Sequence, residues 1–419
     1  MSSQFDAVSE ERLFLSEICC DLCRLRHVTE DGVSADRVKS IRELRLGHAS
    51  VYADIQVLPA DQPPYFVEIK WGYDLPTLVQ RLRRKYGVNP DPRCTRLVVI
   101  SKLPGADASG SVREAVTQNV DRSLQVEVWD EAEVLRQIEK YFGLRIESLT
   151  GGNYQAIRRS ITRAEWKMAF GNQPADPMSS TLLWHFSSWN LKKLYTEHGL
   201  KPLEILRPGN FRNVVVIMAD LCSFSSYVRD TRDDALVRGS LTSFYSQARQ
   251  AILDTGGMID KFVGDEVIGL FGFPRQTPGY IEDAVHCARR LVDIGNSVSD
   301  HWQRRLDRVQ KSGGVHVGIG MGDLNLMGLR AFSNSHVGFI GDAINMTARL
   351  MAAAGPSEIV ASNSVYQDMP YYLQEPFDLL EPVEAKNMGM IKCWRTTGVK
   401  GGLNPAPGGS GDSPVKSLQ

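Results

Sequence analysis

Apolar residues along the chain change period several times, and those changes divide it. Residues Glu10 to Arg26 place their apolar positions at helical spacing, which predicts an amphipathic helix. Short β-like runs follow at Val51–Leu58, Tyr65–Lys70, Leu97–Ser101 and Leu124–Trp129. Helical patterns at Leu75–Lys85, Val112–Asn119 and Asp130–Phe142 alternate with them. Such alternation predicts a small α/β sandwich over residues 1–144. A connector, 145–208, is punctuated by GGN at 151–153 and NQPADP at 172–177. Within it, Ser179 to His198 reads as one apolar-rich helix carrying Leu182, Leu183, Phe186, Trp189, Leu191 and Leu194. Packing on a partner helix and packing within its own chain are both open.

A third block, 209–398, mixes strands with long helices. Val214 to Ala219 is its densest apolar run, long enough for a buried strand and too short to span a bilayer. Met258–Val263 and Glu266–Phe271 flank Gly264-Asp265, which predicts a hairpin with Asp265 at its tip. Gly341-Asp342 opens a helix that ends before Gly355-Pro356. Gly318, Gly320 and Gly322 line a core strand; no suitable helix follows, so a dinucleotide loop is excluded. The tail, 399–419, is rich in Gly, Pro and Ser without apolar period, and disorder is expected there.

Composition changes this picture little. The 419 residues carry a net charge of −1, so bulk charge favours neither nucleic acid nor an anionic membrane, although a local nucleic-acid surface stays open. Without an apolar signal core near Met1, a cytoplasmic location is expected. Seven cysteines form no disulfide framework, and Cys20 and Cys23 lack the further ligands of a zinc site. They read as small buried helix residues.

The chemistry lies in the third block. A strongly apolar strand, NVVVIMAD, delivers Asp220 at its end, and Ser225-Ser226 beyond it suit a helix start. Asp265 is a second carboxylate after another β run. Paired carboxylates with open positions suit Mg²⁺ when a triphosphate supplies further oxygens. Asn345 and Arg349, four apart on one helix, share a face that could hold a ribose and a phosphate.

The segments ADLCSF, DKFVGDE and GDAINMTAR, in this order, resemble the class III adenylate/guanylate (nucleotidyl) cyclase family over about 190 residues. That resemblance implies a ferredoxin-like catalytic domain of the α+β kind beside a smaller N-terminal α/β domain. It implies two Mg²⁺ or Mn²⁺ ions per site, held by Asp220, Asp265 and the backbone carbonyl of Leu221. Asn345 would orient the ribose, Arg349 would stabilise phosphate charge in the transition state, Lys261 would read the base, and Lys386 would hold the terminal phosphates. The implied reaction is attack of the ribose 3′-hydroxyl on the α-phosphorus, with pyrophosphate leaving. A homodimer with two shared sites follows from the family's head-to-tail pairing, with Cys222 or Phe224 near the interface.

The position that usually reads adenine is Gly338, which has no side-chain donor or acceptor; His336 or water could substitute. This departure is similar to the bacterial pyrimidine cyclases of antiphage defence, and UTP is favoured over CTP, with ATP as the alternative substrate. A separate effector responding to the cyclic product is expected. An inactive cyclase fold acting as a sensor, or a nuclease-linked nucleotide-binding module, are the competing readings.

In the first block, Asp54, Glu68 and Lys70 lie on successive β runs, with Gln80 on the next helix. This order resembles the restriction-endonuclease-like PD-(D/E)xK fold, which would give the two carboxylates a metal and the lysine a water-activating role. Glu17 would be an additional ligand. An exposed polar strand edge and a degenerate partner-sensing domain are the competing readings.

Overall fold

The computed structural model describes residues 2–46, 51–88, 90–102, 108–171, 177–231, 233–306, 313–329, 337–385 and 388–397. Lys386, His336 and the 399–419 tail lie outside them.

The first block opens with α1 (Ser2–Glu30), followed by β1 (Val38–Arg45), β2 (Tyr52–Pro59), β3 (Tyr65–Trp71), α2 (Leu75–Tyr86), β4 (Arg96–Lys102), α3 (Ala108–Asn119), β5 (Gln125–Trp129) and α4 (Glu131–Phe142). The strands form one sheet in sequential order, antiparallel through β3 and parallel from β3 to β5. Asp74 and Asp130 cap α2 and α4 with their side chains. One face of the sheet packs on α1 and α4 through Leu15, Ile18, Leu22, Val134 and Ile138. The other packs on α2 and α3 through Leu78, Leu82 and Val116. The expected α/β sandwich is therefore present, with α1 longer than its apolar stripe suggests and β1 added at the edge. All seven cysteines are free and buried, Cys20 and Cys23 among them.

The connector holds α5 (Gly151–Phe170), α6 (Pro177–His185), α7 (Ser188–Thr196) and α8 (Pro202–Ile205). The GGN at 151–153 begins a 20-residue helix rather than breaking the chain. The single helix expected from Ser179 to His198 is two, because Ser187 caps a new start by accepting the Asn190 N–H. Leu182, Leu183, Phe186, Leu191 and Leu194 are buried against their own chain, which decides between the two packings left open.

The third block runs β6 (Gly209–Leu221), α9 (Phe224–Asp230), α10 (Asp234–Asp254), β7 (Met258–Val263), β8 (Glu266–Phe271), α11 (Tyr280–Leu306), β9 (Val315–Gly328), β10 (Val337–Ile340), α12 (Asp342–Ala353), β11 (Glu358–Ser362), α13 (Asn363–Asp368), α14 (Tyr371–Gln374), β12 (Asp378–Ala385) and β13 (Gly389–Thr397). Its sheet has the order β12-β13-β11-β9-β6-β8-β7, with β10 paired to β9. Alternation along β6 sends Val215, Ile217, Ala219 and Leu221 toward α10 and α11, and Val214, Val216 and Met218 toward the connector helices. The connector thus completes the core of this sheet.

On β9 the glycines form a seat for α12. A Cβ on Gly318 would lie 2.5 Å from the Thr347 carbonyl oxygen, and one on Gly320 would lie 2.3 Å from Thr347 Oγ1. Glycine at alternate positions lets helix and strand backbones meet there. Ala343, Met346, Thr347 and Leu350 face the sheet, leaving Asn345 and Arg349 on the outer face of α12. No described helix is long and apolar enough to cross a membrane.

Candidate functional site

Strand β6 ends at Asp220-Leu221, and its antiparallel register with β8 sets Asp220 opposite Glu266. Asp265 precedes Glu266 in the two-residue turn from β7, where Gly264 has φ +61°. A positive φ at the first turn residue is one that glycine adopts without strain. Two independent features, the end of a buried strand and a tight turn, therefore bring the carboxyls together. Each carboxyl is close enough to perturb the protonation of the other.

The electrostatics follow from that contact. Partial burial raises the proton affinity of both groups, and the neighbouring negative charge of Asp220 helps push Asp265 up to about 6. Asp220 is also raised by burial, with its interaction with Asp265 acting the other way. Glu266 rises for the same two reasons, burial and Asp265. Among the described residues no lysine or arginine forms an ion pair with Asp220 or Asp265. Hard oxygen donors with unbalanced negative charge fit Mg²⁺ or Mn²⁺. The Leu221 carbonyl, next along the backbone, would add a neutral oxygen.

The other expected site residues lie on other elements. Lys261 is exposed on β7, 3.4 Å from buried Asp260. Asn345 and Arg349 are exposed on α12 and, among the described residues, bond to neither aspartate. Gly338 sits on β10 opposite Met327. A Cβ there would meet Leu329 Cδ2 at 3.0 Å, and Leu329 is 70% exposed and free to turn away. Lys386 falls outside the described residues. The helix after Asp220 starts at Phe224, and Ser223 occupies its cap position at φ 59° with no side-chain cap bond, so the serine cap expected at Ser225-Ser226 does not form. Cys222 is buried inside its own chain, and Phe224 leans on Tyr227 and Trp302.

Sequence reasoning missed Glu266 and Tyr245. The first is legible from the pairing of Asp220 with the residue after the turn. The second leaves no signal: its hydroxyl reaches the Gly264 carbonyl from the middle of α10.

No protein-family profile matches the chain. Uncharacterised proteins of Mycobacterium tuberculosis and Mycobacterium bovis are 26% identical over 152 residues, covering 36% of this chain and 33% of theirs. The chain thus spans about a third of the length of the curated relatives it matches. Among solved structures, the adenylyl cyclase CyaB from P. aeruginosa is 20% identical, the match covering 45% of this chain and 95% of that one, with a TM-score of 0.38. The guanylyl cyclase Cya2 is 19% identical, covering 45% and 93%, with a TM-score of 0.37. Adenylate cyclases from Trypanosoma brucei are 15% identical, covering 46% and 91%, with a TM-score of 0.36.

In the first block, Asp54, Glu68 and Lys70 do meet. Lys70 Nζ donates to Asp54 Oδ2 at 2.8 Å and pairs with Glu68. Arg12 holds Asp54 Oδ1 at 2.7 Å, and the Ile69 N–H reaches Oδ2 at 2.7 Å. Lys85 and Tyr86 donate to Glu68 at 2.7 and 2.6 Å. Burial opposes ionisation of Asp54, yet Lys70 and Arg12 hold it well below the carboxylate range. Every carboxylate oxygen already has a donor, and three cations face two anions. The donor set as it stands does not fit a divalent ion. Glu17 is elsewhere, paired with Arg158 and bonded to Ser246, and Gln80 is exposed on α2.

Proposed function

We propose that the third block is a class III-type nucleotidyl cyclase, converting a nucleoside triphosphate to a 3′,5′-cyclic nucleotide and pyrophosphate. The observation that carries this reading is the register that sets Asp220, at the end of β6, beside the β7–β8 turn holding Asp265, with no described basic side chain ion-paired to either carboxyl. The three sequence segments that resemble the family supply those two residues together with Asn345 and Arg349.

Asp220, Asp265 and the Leu221 carbonyl would hold two Mg²⁺ or Mn²⁺ ions, which when bound favour ionisation of the ribose 3′-hydroxyl and offset triphosphate charge. Arg349 presents a planar guanidinium to the α-phosphate, where negative charge grows during attack; removing such a donor costs roughly 10²–10³ in rate. Asn345, one turn away, hydrogen-bonds the ribose and fixes its angle of approach. Because both project outward from α12, a second copy of the chain is the partner that would receive them, giving a homodimer with two shared sites.

For the base we favour UTP. Gly338 offers an adenine amino group no partner, while Lys261 can donate to a pyrimidine carbonyl. The retained Lys261 keeps ATP as the second reading. The resemblance to pyrimidine cyclases extends the proposal to a messenger in antiphage defence, read by a separate effector. The N-terminal cluster supports a non-cleaving, partner-sensing role, since its carboxylates are occupied by cations.

Purified protein with Mn²⁺ and each of the four triphosphates, analysed by liquid chromatography, tests the reading. A cyclic product chiefly from UTP, abolished by Asp265→Ala, is the expected result. Absence of product from all four would overturn the enzymatic reading, and product from ATP alone would overturn the base. DNA left intact by the wild type and by Lys70→Ala is expected for the first block.

A further inference from the structure

A two-residue turn leaves Asp265 only half-buried, so a bond from outside the hairpin helps to fix its direction. The Gly264 carbonyl belongs to the peptide whose N–H is that of Asp265. A bond to that oxygen therefore sets the plane from which the aspartate departs. The bond comes from the Tyr245 hydroxyl.

Tyr245 is well placed to act as a post. Its ring lies 4.5 Å from that of Phe262 on β7, and Phe262 also meets Trp184 at 6.3 Å. The helix beneath it is pinned along its length. Asp233 caps α10 through the Ala235 and Leu236 N–H groups. Ser246, next to Tyr245, receives Arg42 Nη2 at 2.7 Å and donates to Glu17. Asp254, the last residue of α10, takes a 2.5 Å bond from Arg24.

We propose that Tyr245 is a positioning residue for Asp265, its hydroxyl holding the Gly264 peptide so that the Asp265 carboxyl meets Asp220. This rests on the reading that those carboxyls hold a divalent cation. Tyr245 would act through the Gly264 peptide rather than on substrate or cation directly. Outer partners of this kind are worth 10–100-fold in metal affinity or activity.

The test uses full-length protein carrying Tyr245→Phe, which keeps the ring on Phe262 and deletes only the donor. Mn²⁺ alone is titrated in by calorimetry, without nucleotide. The expected result is affinity lowered 10–100-fold, with an unchanged melting temperature and far-ultraviolet dichroism. Amide exchange at Asp265 and Glu266, measured without metal, is expected to speed up about tenfold as the turn loosens. In turnover, kcat should fall and the half-saturating Mn²⁺ concentration rise, while KM for the triphosphate holds. Tyr245→Leu should reproduce these changes and also lower the melting temperature. Mn²⁺ affinity within twofold of wild type in Tyr245→Phe would overturn the proposal, even with faster exchange. Wild-type affinity retained in Asp265→Asn, or no Mn²⁺ binding by the wild type, would instead overturn the underlying cation site, and this proposal with it.

Discussion

Asp220 and Asp265 are legible in the amino-acid sequence because each is announced locally, one by an apolar strand that must end and one by a glycine-aspartate turn. The proposed base position behaves differently. Gly338 is informative through what it lacks, and the space around it is a property of the fold: among the described residues, a side chain there meets exposed Leu329, which can turn away. Gly338→Asp should therefore fold normally and add an acceptor for an amino group. One added hydrogen bond of about 1.4 kcal/mol corresponds to a roughly tenfold gain in kcat/KM for ATP relative to UTP. Competition of the two triphosphates in one reaction measures that ratio directly, and an unmoved ratio would dissociate Gly338 from base reading. Tyr245 shows why other site residues stay hidden. Its role depends on α10 crossing above the hairpin, a long-range relation that no spacing encodes.

At the level of elements, those with a clean period are the legible ones. β7, β8 and α12 follow from apolar runs, the turn and the flanking glycines. β1 escapes such a reading for a physical reason: its inward positions are Val38, Ser40 and Arg42, two of them polar. This face packs on α10 and α11, where the Ser40 backbone carbonyl accepts from Gln250 and Arg290 and the Arg42 guanidinium donates to Ser246. A polar inner face has no apolar alternation to read. α5 escapes it because GGN opens the helix without a side-chain cap. That helix also carries a pH-sensitive group. Burial and the nearby Asp21 of α1 push Glu165 up to about 7, against Arg249 of α10, Arg24 of α1 and Arg158 of its own helix. Asp21 itself is pushed up to about 6, mainly by burial. A carboxyl whose folded-state pKa is raised binds more protons when folded, so its stabilisation is complete below about 4.5 and is lost as pH rises through about 7. Glu165→Gln should match wild type near pH 4 and exceed it at pH 8 by about 1–3 kcal/mol. Urea unfolding at the two values checks this, and an equal difference at both would refute it.

Over the whole molecule, the first block is bound to the third through buried polar contacts. Arg24 inserts between the Asp254 carboxylate and the Trp189 ring, whose centroid is 4.1 Å from its guanidinium carbon. Losing one partner of such a buried pair strands the other charge, which makes the pair strongly specific for this docking. That face of the third-block sheet, built on α10 and α11, is therefore occupied by its own chain. Asn345 and Arg349 project from α12, which packs on the opposite face. On the proposed reading each chain would carry two half-sites, one with carboxylates and one with Asn and Arg. If each is completed by the other subunit of a head-to-tail pair, two inactive variants must rescue one another. Asp265→Ala lacks one half and Arg349→Ala the other. In a mixed dimer, one site has lost both residues and the second has lost neither. Random pairing at equal concentrations makes half the dimers mixed, each with one of two sites intact, so about a quarter of wild-type turnover should return. Product formation after mixing and re-equilibration measures this. A site assembled within single chains predicts no recovery at any ratio, because every chain in the mixture then carries its own lesion.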